Sequence, residues 1–229
     1  MSLFSHGVTP YCIGSRCSRK QFRNPCRVCT ASSPMGILEP QNRRKCGCFI
    51  PAITLLGPSA TEAAFKAARL TEYRVIHLAV HGFADSTFPD RAALVLLSDQ
   101  SAGEDGFLQA SEIARLRFDA DLVVLSACDT AVGQLHGQEG TANLSRAFLM
   151  AGARTVVSTL WQVDDSSSLY LMKRFYAHLS ANRSASSALT SAKRDMLRTF
   201  GTRATPYQWA GFTIEGALGR HISSNESGK

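Results

Sequence analysis

Residues 122-LVVLSACDTA-131 run through four strand-forming apolar residues, Leu122 to Leu125, reach Cys128 and turn polar at once. An apolar run with no polar alternation has no wet face, so it belongs inside a parallel sheet covered by helices on both sides. Two other stretches share this character, 74-RVIHLAVHG-82 and 154-RTVVSTL-160. Helical patterns separate them, and strands alternating with helices predict an α/β fold with a mainly parallel sheet.

Working outward, Ile53 to Leu56 is a short strand candidate stopped by Gly57-Pro58. Ser59 and Glu62 stand at capping-box spacing, which predicts a helix from Ser59 to about Leu70. Ala92 to Leu97 reads as a strand, Asp105-Gly106 as a turn, and Leu108 to Leu116 as a helix. Leu144, Ala147, Phe148 and Ala151 recur at i, i+3, i+4 and i+7, the stripe of an amphipathic helix over residues 141–151. Asp164 or Asp165 caps a helix reaching about Ser180, a further helix spans about Ala185 to Phe200, and 209-WAGFTIEG-216 is a closing strand. No internal repeat is evident.

Charge and cysteine both divide the chain near residue 50. The net charge of +7 over 229 residues suggests a nucleic-acid binder until it is mapped. Residues 1–50 hold eight Lys/Arg against Glu39 alone, whereas residues 51–229 hold 17 basic and 17 acidic residues. Six of the seven cysteines, Cys12, Cys17, Cys26, Cys29, Cys46 and Cys48, lie in the same basic segment. That segment has neither helix nor strand periodicity and is predicted to be disordered, as is a tail over 218–229. Cys26, Cys29, Cys46 and Cys48 offer four thiolates to zinc, although Cys-x-Cys is tighter than the usual structural spacing. Otherwise no metal or cofactor is expected. With zinc bound, the basic residues of that segment could face nucleic acid, but the balanced body, 51–217, makes nucleic acid an unexpected partner. Its one cysteine argues for a reducing compartment, and no apolar run is long enough to span a bilayer, so a cytoplasmic protein is expected.

Two strands carry reactive side chains to their carboxyl ends, where open α/β sheets bind ligands. His81 ends one and is followed by Gly82; Cys128 ends the other and is followed by Asp129. An imidazole that titrates near neutrality can accept a thiol proton, and the thiolate is the competent nucleophile. Gly82 leaves room for a carbonyl to approach, and the N–H groups of Gly82 and Cys128 would serve as oxyanion donors. Taken singly, a free cysteine is more often a small buried hydrophobe. His77, inside its strand, reads as core or as support for the site. The pairing of His-Gly with cysteine, 47 residues apart, approximates the caspase arrangement of about 50 residues, though the caspase motif around the cysteine is replaced by SACDT.

The strings 76-IHLAVHG-82, 122-LVVLSACDTAVG-133, 137-GQEG-140, 146-RAFLMAGARTVVSTLWQVDD-165 and 207-YQWAGFTIEG-216 resemble the CHAT family of caspase-like cysteine peptidases. The resemblance covers about residues 52–217. It implies a three-layer caspase-like sandwich and a His–Cys dyad, with His81 as base, Cys128 as nucleophile and Gly82 at the oxyanion position. It also implies that residues 160–165 line the primary specificity pocket. The candidate substrate-binding residues are then Asp129, Glu139, Trp161 and Asp164. Trp161 fits core or pocket, Asp164 and Asp165 fit pocket or helix cap, and Asp129 fits pocket or Asx turn. Acidic residues there would favour a basic P1 side chain.

Family members usually carry strands and helices ahead of the part that begins here near residue 52, and are commonly fused to tetratricopeptide repeats. The expectation is therefore a domain lacking its N-terminal half, with an exposed sheet edge or uncovered face. Two functions follow: a cysteine endopeptidase acting on a protein or peptide, or a catalytically silent, partner-dependent interaction module. A tetratricopeptide-repeat or other regulatory partner is expected in either case.

Overall fold

The computed structural model describes residues 54–83, 92–126 and 137–219, with the course of the chain alone at 7–9, 83, 128–129 and 137–141. The zinc reading at Cys26, Cys29, Cys46 and Cys48 lies outside the described residues. The main sheet is built on the three apolar runs: β3 (Val75–Ala79), β7 (Leu122–Leu125) and β9 (Thr155–Thr159). They lie side by side and parallel. β10 (Phe212–Gly216) closes one side, antiparallel to β9. On the other side β1 (Gly7–Thr9) runs antiparallel to β3, with β2 (Leu55–Leu56) beyond it, giving the order β10-β9-β7-β3-β1-β2. Strand β1 comes from the basic segment in which no strand was expected. It occupies the edge of β3 that the sequence left open.

Alternation along the strands divides the core between two faces. Ile76, Leu78, Val123, Leu125 and Val156 face one way, packed with Leu144, Ala147 and Phe148 of α3 (Gly137–Met150), with Ala151 just after it, and with Phe65 and Ile113 of the short helices α1 (Glu62–Ala67) and α2 (Ala110–Ile113). Val75, Leu122, Val124, Val157 and Phe212 face the other way. They pack on Leu171, Phe175 and Leu179 of α4 (Asp165–Ser180) and on Ala188, Leu189, Ala192 and Met196 of α5 (Ala185–Phe200). Among the described residues both faces are thus covered, so of the two expected alternatives, an exposed edge or an uncovered face, the second is not seen, and the layering is helix–sheet–helix, as in the caspase-like sandwich. Asp164 and Ser184 cap α4 and α5, each accepting the backbone N–H three residues on. Gly152, at φ 110° after α3, must be glycine, because a Cβ there would lie 2.3 Å from Phe118 O.

A second sheet carries the site. Its order is β6-β5-β4-β8, from β6 (Phe107–Gln109), β5 (Ala93–Val95), β4 (His81–Phe83) and β8 (Cys128–Asp129). The apolar run 74–82, one strand by its pattern, is therefore two strands that part at the buried Val80.

Three local expectations are corrected. The first helix starts at Glu62, with Thr61 as N-cap accepting from Ala64 N–H at 3.0 Å. Ser59 instead closes the Gly57–Ser59 turn onto Leu56, and Gly57 and Pro58 hold that turn too tight for a helix to begin there. Glu62 does not reach back to a cap; its Oε2 accepts the Gly106 N–H at 2.8 Å. Finally, Phe107–Gln109 pairs with β5 before α2 begins, because the 105–106 turn delivers it to an open strand edge.

Candidate active site

The 47-residue spacing is a strand register. Val75 pairs with Leu122 in the main sheet and His81 pairs with Cys128 in the second, both 47 positions apart. The parallel alignment of β3 on β7 thus passes unbroken into β4 on β8, with Gly82 opposite Asp129. Adjacent strands lie about 4.8 Å apart, and paired residues of a parallel ladder share a face of the sheet. His81 is exposed, whereas Gly82 is buried between β5 and β8.

A histidine–hydroxyl pair lies one step inside. His77 is 3% exposed. Its Nε2 lies 3.0 Å from Ser126 Oγ and its Nδ1 3.0 Å from Tyr176 Oη of α4, with the two rings stacked at 5.8 Å. Burial drives its pKa down to about 3. Such an imidazole stays neutral at physiological pH and is a poor proton acceptor, so His77–Ser126 is not a general-base pair. Exposure singles out His81.

The other candidates follow the same carboxyl end. Asp129 is in β8 and Glu139 in the first turn of α3; their side chains lie outside the described residues. Trp161 follows β9, half-buried. Its Nε1–H donates to Tyr207 O at 2.8 Å, and its ring lies 6.1 Å from that of Tyr207 and directly on Gly211. A Cβ at Gly211 would lie 2.8 Å from Trp161 Cε2, so YQWAG supplies a seat for this indole. Tyr207, 58% exposed, extends the aromatic surface outward from a short helix, α6 (Pro206–Trp209). Neither Tyr207 nor Gly211 was singled out in the sequence, because nothing local marks a partner 46 or more residues away.

Asp164 acts as a cap. Its carboxylate accepts from Ser166 Oγ at 2.6 Å and Ser167 N–H at 2.9 Å, and these bonds hold its pKa below the usual range, the Ser166 hydroxyl contributing most. Asp165 is the first residue of α4 and exposed.

The CHAT domain family model matches residues 38–217. The chain belongs to the CHAT family. Tetratricopeptide repeat protein 28 of Mus musculus is 33% identical to this CHAT domain over 128 residues, 56% of the chain. The Homo sapiens protein of the same name is 31% identical over 121 residues, 53% of the chain. Each match spans only 5% of that protein's length. Among the described residues of the CHAT chain, no helix is long and apolar enough to cross a membrane.

Proposed function

We propose that this CHAT domain is a cysteine endopeptidase working through a His81–Cys128 dyad. The observation that carries the reading is the pairing of His81 with Cys128 across a parallel ladder at the end of two strands. The Cys128 thiol loses its proton to His81, and the thiolate attacks a peptide carbonyl. His81 then protonates the leaving amine, and water hydrolyses the thioester. The backbone N–H groups of Gly82 and Cys128 are the assigned oxyanion donors. Trp161 bounds the substrate cleft, with Asp129, Glu139 and Asp164 as its acidic residues, favouring a basic P1 side chain. The protein acts in the cytoplasm, a placement supported by its single body cysteine, and a helical-repeat protein regulates it, in keeping with the names of its relatives.

The test is incubation with a broad peptide library, comparing wild type with Cys128→Ala and His81→Ala. Cleavage should vanish in the first variant and fall steeply in the second. Absence of any cleavage that depends on Cys128 removes the reading. A second reading, a silent module that binds a partner, draws on the location of the matched stretch within much larger repeat-named proteins. It predicts that iodoacetamide labels Cys128 no faster than a model thiol.

A further inference from the structure

His77, Ser126 and Tyr176 join three elements at one point, with His77 and Tyr176 buried and Ser126 partly exposed. His77 lies in β3, Ser126 follows β7 directly, and Tyr176 comes from the middle of α4. β3 ends two residues past His77, at Ala79, and β7 ends at Leu125, the residue before Ser126. After these ends, one chain steps through Val80 into β4 with His81, and the other reaches β8 with Cys128. Ser126 is tied twice, by its hydroxyl to His77 at 3.0 Å and by its N–H to Leu78 O at 3.0 Å. We propose that His77, Ser126 and Tyr176 are positioning residues that fix where β4 and β8 leave the main sheet, and so hold His81 and Cys128 in reacting alignment. This inference rests on the dyad reading above.

None of the three is assigned contact with substrate. A neutral imidazole has one N–H donor and one acceptor nitrogen, so His77 donates to one hydroxyl and accepts from the other. Serine and tyrosine hydroxyls can each play either part, so both tautomers satisfy the bridge. Replacing the imidazole by an apolar side chain strands the buried Tyr176 hydroxyl. The bridge also joins helix to sheet: a shift of α4 along the sheet would be felt at Ser126, two residues from Cys128.

The experiment is iodoacetamide labelling of Cys128, followed by peptide mass spectrometry to separate it from the other six cysteines, over pH 5 to 9. The variants are Tyr176→Phe, which removes one hydroxyl and keeps the ring stack, and Ser126→Ala, with His81→Ala as reference. If the three residues position the dyad, Tyr176→Phe and Ser126→Ala each slow labelling at neutral pH by about tenfold or more. They also move its midpoint up toward that of a free thiol, about 8.5. Thermal unfolding of each variant shows that it is folded. A role confined to stability would lower the melting temperature and leave the midpoint in place, which overturns the inference. If His81→Ala slows labelling and the two hydroxyl variants do not, the inference falls and the dyad stands. If His81→Ala changes nothing, the dyad reading falls and takes the inference with it.

Discussion

Lys66→Met should destabilise the protein by about 3 kcal/mol, and Glu62→Gln in the same chain should recover most of the loss. The Lys66 ammonium lies 2.8 Å from Glu62 Oε1, 2.7 Å from Glu104 Oε2 and 2.7 Å from Glu112 Oε1. One cation thereby joins α1, the 99–104 turn and α2 around the hairpin of the second sheet. Partial burial opposes its charge, but hydrogen bonds to Glu104 and Glu112 and the close Glu62 carboxylate outweigh this and raise its pKa. Glu62 is fully buried, and among the described residues Lys66 is the cation paired with it. Removing that cation strands a buried carboxylate with two others close by, all three offering oxygens within 4.8 Å of one another. Breaking a buried ion pair costs about 3–5 kcal/mol. The lower end applies because Glu104 and Glu112 are partly exposed and can turn outward, while methionine retains the apolar stem of the lysine. Glutamine at 62 keeps the acceptor for Gly106 N–H and discards the charge, so the double variant should lie within about 1 kcal/mol of wild type. Urea unfolding with a common m-value measures both. A loss below about 1 kcal/mol in Lys66→Met, or no recovery in the double variant, would refute the assignment of this cluster as a buried electrostatic hub.

His77 makes stability depend on pH. Its folded pKa of about 3 lies below the ordinary 6.5, so between those values the unfolded chain binds a proton that the folded one does not. Stability attributable to His77 is whole above pH 6.5 and falls on acidification, by about 2 kcal/mol at pH 5. Wild type should lose that much more than His77→Gln between pH 8 and 5, whereas parallel unfolding curves would contradict it. Gly211→Ala drives a methyl into the Trp161 ring and should cost about 1–3 kcal/mol with a red-shifted tryptophan emission; unchanged emission would mean the ring is not seated there. On the peptidase reading, Asp129→Asn should lower kcat/KM for substrates with Lys or Arg at P1 about tenfold and spare others, as expected for loss of one charge-assisted contact. Equal loss across all P1 residues would remove Asp129 from the pocket.

The parallel core was legible because its signal is local. Leu122–Leu125 is buried on both faces, as the unalternating run requires, and α5 spans the expected Ala185–Phe200. The stripe of Leu144, Ala147, Phe148 and Ala151 faces the sheet as its spacing demands. What escaped was decided by distant partners. Phe107–Gln109 has helical neighbours in sequence but pairs with β5, and Gly7–Thr9 is a strand only because β3 has an edge to offer. Ser59 had the right spacing for a cap, yet the backbone of Gly57 and Pro58 overruled it. In the candidate site, His81, Gly82, Cys128 and Asp129 were visible as strand-end residues, and the ladder pairs them. Tyr176, 99 residues from His77, carries no local mark of that contact.

His77 and His81 show why the break between β3 and β4 matters for chemistry. They are four residues apart, so a continuous strand would put both on the same face of the main sheet. That face is packed against α4 and α5, and the fate of an imidazole there is visible in His77: neutral, with a pKa of about 3. A histidine so placed could neither take a thiol proton at neutral pH nor meet a substrate. The bend at Val80 moves the next turn of strand into the second sheet, where His81 is exposed. If β8 did not leave β7 in step, the same bend would separate the histidine from the cysteine; the common offset of 47 positions before and after the break keeps them opposite. On the dyad reading, a general base near the thiol therefore requires two departures from one sheet in matched register, and the part-buried His77–Ser126 contact lies where those departures begin.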